Sequence, residues 1–164
     1  MCFTQNSIQT YAVNGITFEF ANFITKRFST DNIENIINEN PNRLIIAYQN
    51  GNIIGVVEIY DNTCLISKIA ITELSKLYLL ERFYGKVIGY NLMNKAEKEI
   101  LKNGYAEFNL EVYINNERAI SFYERQGDVS IVNVVYPIES NTYENLVMNK
   151  VLSLKNTNVQ YRLK

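Results

Sequence analysis

A chain of 164 residues with 47% apolar and 20% charged side chains has the composition of one globular domain, set here at residues 1–164 and long enough to bury a core. The formal charge is −1 and no segment concentrates lysine and arginine, so the cationic footprint of a nucleic-acid-binding surface is missing and small molecules are the expected partners. Histidine is absent, which excludes a Ser-His-Asp triad and the commonest metal ligand: catalysis must use carboxylate, tyrosine, lysine, backbone or water, and no metal is expected.

The segment MCFTQNSIQ has neither a basic n-region nor an apolar h-region, and no apolar run is long enough to span a bilayer. Cys2 and Cys64 lack metal-ligand spacing. A cytoplasmic protein with reduced thiols and no membrane partner is the expectation. The next stretch supports two assignments. IQTYAV and ITFEFA read as two strands around an Asn14-Gly15 turn, whereas the apolar residues at 16, 20, 23 and 24 have helical spacing. Ser29-Thr30-Asp31 then offers caps for a short helix, DNIENIINEN, stopped by Pro41. LIIAYQ and IIGVVEIY, joined at Asn50-Gly51-Asn52 and closed by Asp61-Asn62, predict a hairpin. ITELSKLYLL predicts a further strand, running into RFYGKVIGYNLM.

From Ile88 a helix is predicted, with Ile88, Leu92, Ala96 and Ile100 on one face and a stop at Lys102-Asn103-Gly104. AEFNLEVYI follows as a strand. Asn115-Asn116 then caps a second helix, with Ala119, Ile120, Phe122 and Tyr123 inward and Gly127 at its end. Strand, helix, strand, helix predicts two parallel neighbouring strands joined by a right-handed crossover. IVNVVYPI and YENLVMNKVLSL predict two antiparallel strands, and NTNVQYRLK is either a loose tail or an edge strand.

Gly85 and Gly89 bracket Lys86 just before a helix. A helix N-terminus leaves its first N–H groups unpaired and carries partial positive charge, so a glycine loop entering it can cradle phosphate oxygens. Alone, the two glycines are equally well explained by a tight strand-to-helix turn. Gly89 is followed by Tyr90, so the nucleoside-triphosphate loop pattern is not met, and neither is the dinucleotide fingerprint.

LYLLERFYGKVIGYNLMNKAEKEILKNGY, followed by FNLEVYINNERAISFYERQG, resembles the acyl-CoA-binding core of the GNAT superfamily of N-acetyltransferases over residues 72–127, and more loosely over 41–60 and 129–152. The resemblance implies an α/β (α+β) fold with a mixed central sheet of about six or seven strands flanked by helices. It implies acetyl-CoA as co-substrate, its pyrophosphate held by the backbone from Gly85 through Lys86, Val87, Ile88 and Gly89 to Tyr90. The strand carrying Leu77 and Leu79 would pair with the pantetheine arm, Asn116 would contact pantetheine, and Tyr123 would be the general acid. ELSKLYLL and YENLVMNKVL resemble the branch acting on small amines and polyamines. Two positions depart from the family's loop motif: Tyr84 replaces glutamine or arginine, and Val87 replaces glycine. Val87 is expected to narrow backbone approach and to disfavour positive φ. Asp128 stands where an aromatic residue often follows the second helix.

The implied reaction is direct transfer of acetyl to a primary amine: a small amine, a polyamine or a peptide N-terminus. Tyr123 would protonate the departing thiolate. A primary amine of pKa about 10.4 is mostly protonated at neutral pH, so a base is needed. Glu73 is the first candidate, Glu111 and Glu58 the alternatives. The competing expectation is a module, homodimeric in one form, in which Tyr84 and Val87 have impaired catalysis and which senses CoA or mediates protein interaction.

Overall fold

The computed structural model describes residues 2–12, 15–63, 70–138 and 141–152. At the N-terminus the hairpin alternative is corrected: Cys2–Tyr11 and Phe18–Arg27 form helices α1 and α2. Capping and charge explain α2. Thr17 accepts a hydrogen bond from the Phe20 N–H at 3.2 Å, with Glu19 in the first turn and Lys26 and Arg27 in the last, the arrangement a helix dipole favours. Phe20 and Ile24 are the side chains it buries. Helix α3 (Thr30–Glu39) is capped by Ser29, and a 3-10 turn at Pro41–Arg43 leads to the sheet.

Strands β1 (Leu44–Gln49), β2 (Asn52–Thr63), β3 (Ala70–Leu79), β4 (Glu107–Tyr113), β5 (Val129–Ile138) and β6 (Asn141–Val151) form one sheet ordered β1-β2-β3-β4-β6-β5. β2 runs to Thr63, past the expected close at Asp61-Asn62. Helix α4 (Ile88–Lys102) connects β3 to β4, which are parallel, and α5 (Glu117–Gln126) connects β4 to β5. The other neighbours are antiparallel. This is the mixed sheet flanked by helices expected of the α/β (α+β) class. Cys64 and the segment NTNVQYRLK lie outside the described residues. Among the described residues no helix is long and apolar enough to cross a membrane.

The core lies between the sheet and α4, where Val57, Ile59, Leu74, Phe108 and Leu110 meet Leu92, Met93, Ala96 and Ile100. The α4 members recur at helical spacing, an apolar stripe against the sheet. Gly55 lets α4 approach β2: a Cβ there would come within 3.0 Å of Leu79, of Leu92 and of the Tyr78 carbonyl oxygen. Strand alternation turns the neighbouring residues to the opposite face, which α1 covers. There Phe3 stacks on Phe28 at 5.2 Å and meets Tyr78 edge-on at 6.0 Å.

Glu58 is fully buried on that face and pairs with Arg43 at 2.7 Å, with Arg27 at 3.4 Å and with Lys76. Burial pushes its pKa up, but Lys76, Arg27 and Arg43 outweigh that and hold it below the usual carboxylate value. The cluster ties α2, the 3-10 turn, β2 and β3 together.

Candidate active site

Ile59 lies opposite Leu74 and Glu58 opposite Lys76, so Ser75 is an extra residue in β3, a bulge. A bulge bends its strand and increases the local twist. β3 pairs with β4 only at Glu73↔Asn109 and Leu74↔Leu110, ahead of the bulge. Beyond it the strands part, and a cleft of about 620 Å³ opens between residues 74–79 of β3 and 111–113 of β4. It lies at the carboxyl ends of two parallel strands, the usual ligand position in open α/β sheets. Leu77 and Leu79 both line it. Past Leu74 the β4-facing edge of β3 has no strand partner among the described residues, which leaves backbone amides to pair with an extended amide-bearing ligand.

One end of the cleft suits phosphate. Gly85 has φ +70°, in the left-handed region that a side chain would strain, and it leads the loop into α4. That helix starts at Val87 without a side-chain cap, and the N–H groups of residues 86–90 make no hydrogen bond to a described residue. Gly85, Lys86 and Gly89 line the cleft, and Lys86 lies 5.1 Å over the Phe83 ring. The side chains of Val87, Ile88 and Tyr90 do not line it: Val87 and Tyr90 are exposed, and Ile88 packs on the core. The expected conflict between Val87 and a positive φ does not arise. Its φ is −65°, and the positive φ falls on Gly85. Tyr84 does line the cleft, and the Arg118 guanidinium stands 4.7 Å over its ring. Lys86 and Arg118 thus border this end, and Arg125 also lines the cleft.

Helix α5 forms the floor. The Asn116 side-chain oxygen accepts a hydrogen bond from the Ala119 N–H at 3.2 Å, fixing the start of the helix, and Gly127 ends it. Asn116 itself lines the cleft, as do Ala119, Phe122 and Tyr123. Tyr123 is 8% exposed. Burial and then the charge of Asp128 push its pKa well above the ordinary tyrosine value, so it keeps its proton at neutral pH. Asp128 is itself buried, neither carboxylate oxygen has a hydrogen-bond partner among the described residues, and burial pushes its pKa up to about 7.

The other end suits a cation. Glu111 lines the cleft and accepts hydrogen bonds from the Tyr136 hydroxyl at 2.7 Å and the Asn145 amide at 3.4 Å. The ring of Tyr11 lies 5.3 Å from Tyr113 and 5.8 Å from Tyr143. Glu73 is half-buried on β3 and does not line the cleft; burial and then the charge of Glu111 raise its pKa. Glu58 is committed to its ion pairs. Among the described residues no group of three or more His, Cys, Asp or Glu side chains is arranged to hold a metal ion.

Sequence reasoning missed Tyr11, Arg118 and Arg125. Tyr11 fell in the segment whose periodicity was ambiguous. Arg118 and Arg125 recur with Phe122 at helical spacing along α5, a signal that marks them as sharing a face but not which face meets the loop.

A family model described as the acetyltransferase (GNAT) family matches residues 12–128. Among solved structures, the chain is similar to the PaiA N-acetyltransferase of Thermoplasma acidophilum in complex with coenzyme A, with 24% identity, a TM-score of 0.68 and coverage of 92% of this chain and 88% of that one. A ribosomal-protein-alanine N-acetyltransferase from Brucella melitensis matches at 17% identity and a TM-score of 0.68, over 92% of this chain and 90% of that one. A GNAT-family acetyltransferase from Streptococcus pneumoniae matches at 19% identity and a TM-score of 0.64, over 77% and 78%. These likenesses support the fold.

Proposed function

The chain belongs to the GNAT family of acetyl-CoA-dependent N-acetyltransferases, and on that premise we propose that it acetylates a small cationic amine or polyamine bound at the Glu111 end of the cleft. The observation that carries this is the cleft's polarity: N–H groups with no partner among the described residues, Lys86 and Arg118 at one end, Tyr123 on the floor, a carboxylate among tyrosines at the other. The backbone from Gly85 through Tyr90, with Lys86, would take the pyrophosphate, and the free edge of β3 at Leu77 and Leu79 would take the pantetheine amides. Asn116, its oxygen used in the cap, would offer its side-chain amide to the same arm. The exposed side chain of Val87, outside the cleft lining, supports this placement.

Acetyl-CoA brings an already activated thioester. The chain's work is to align the amine with the acyl carbon, to offer N–H donors where the carbonyl oxygen gains charge, and to manage two protons. The amine nitrogen forms the new C–N bond as the C–S bond breaks. Tyr123 gives its hydroxyl proton to the departing sulfur and regains one from the nitrogen as the amide forms. Glu73, half-buried on β3 with a raised pKa, takes the first proton of the ammonium through water to leave the neutral amine that attacks, and Glu111 holds the ammonium until that transfer. A carboxylate and aromatic rings attract an ammonium group, the chemistry that a small cationic amine or polyamine carries.

Thiol release from acetyl-CoA, measured with a polyamine, a small monoamine and a peptide N-terminus across pH, tests this. The polyamine or monoamine is expected to turn over. Because Glu73 must be deprotonated, the rate is expected to fall as pH drops through its raised pKa, and Glu73→Gln is expected to lower kcat and flatten that limb. Turnover of the peptide alone would overturn the acceptor assignment.

A further inference from the structure

Arg118 sits in the first turn of α5, where the helix dipole disfavours a cation. It forms no ion pair among the described residues, and its guanidinium stands 4.7 Å over the ring of Tyr84, with both side chains lining the cleft beside Gly85 and Lys86. A guanidinium held over an aromatic ring by cation–π attraction still carries N–H donors that can meet a phosphate in a charge-assisted arrangement. Tyr84 is the position at which the loop departs from the motif it resembles, having lost a polar side chain.

We infer that Arg118, delivered from α5 and held by Tyr84 as a stacking platform, binds the pyrophosphate of the CoA moiety in place of the polar side chain missing at position 84. This rests on acetyl-CoA occupying the cleft as proposed above. Tyr84 supplies no charge to the phosphate. Its part is to restrict a long, flexible side chain to the rim of the loop, so that less conformational freedom is lost on binding. The dipole cost of a cation in the first turn is offset when an anion arrives. Tyr84 is thus a positioning residue and Arg118 a ligand-binding one.

Calorimetric titration of the full chain with CoA and with dephospho-CoA, which lacks the 3′-phosphate, tests the inference on the wild type and on Arg118→Gln, Tyr84→Leu and the double variant. Thermal melting checks that each is folded. Arg118→Gln is expected to weaken CoA binding about ten-fold or more and to reduce the salt dependence. Tyr84→Leu is expected to weaken it less, and the double variant to be no weaker than Arg118→Gln, since removing the platform matters only while the arginine is present. The same penalties are expected with dephospho-CoA. Wild-type affinity in Arg118→Gln would overturn the inference while leaving the acetyltransferase reading intact, and so would additive losses in the double variant. A penalty that disappears with dephospho-CoA would move Arg118 to the 3′-phosphate and overturn the pyrophosphate assignment. No CoA binding by the wild type would overturn the inference together with the reading beneath it.

Discussion

Asp128 is buried beside Tyr123 with no hydrogen-bond partner for either carboxylate oxygen among the described residues, and its pKa rises from 3.8 to about 7. The sign of its effect on stability follows. Between those two values the unfolded chain has lost this proton and the folded chain has kept it, so stability falls as pH rises and levels off above about 7. Asp128→Asn removes the titration. The variant is expected to gain stability over wild type between pH 5 and pH 8, by roughly 2 to 4 kcal/mol, in urea unfolding at the two pH values. An identical difference at both would contradict this account of Asp128. At this scale the sequence was legible where the signal is local. Asn116, Ala119 and Tyr123 follow one another at helical spacing, and the structure joins the first two by a capping bond while setting all three along the cleft. Arg118 over Tyr84 was not legible, because a stack between a loop and a later helix leaves no periodic trace.

The strands and the two long amphipathic helices were read from β-branched runs, apolar stripes and caps, and they appear nearly where expected. The bulge at Ser75, which opens the cleft, was not. In ELSKLYLL nothing marks an extra residue, since its register depends on what β2 places opposite. The N-terminal helices were ambiguous for a related reason: ITFEFA alternates as a strand would, and capping by Thr17 with burial of Phe20 and Ile24 decides for the helix. Glu58 gives the element-scale prediction. It joins β2 to α2, the 3-10 turn and β3 through three cations, and neutralising it deprives Lys76 and Arg43, both largely shielded from water, of their closest carboxylate. Glu58→Gln is expected to destabilise the protein by roughly 3 to 5 kcal/mol in urea unfolding. A loss under about 1 kcal/mol would mean that the cations find water instead.

At the scale of the whole molecule, the parting of two parallel strands, the helix N-terminus beside them and the tyrosine on the floor make one cleft with opposite chemistries at its ends. α1 closes it from the other face of the sheet through Asn6, Thr10 and Tyr11, which ties acceptor choice to the part of the chain least readable from sequence. The most direct measurement is therefore a paired one on Tyr123→Phe: affinity for acetyl-CoA by calorimetry, and kcat by thiol release with the amine that the wild type uses. The hydroxyl is the only group removed, so affinity is expected to stay within about two-fold while kcat falls about a hundred-fold or more. An unchanged kcat would contradict Tyr123 as the acid, and with it the mechanism assigned to the cleft.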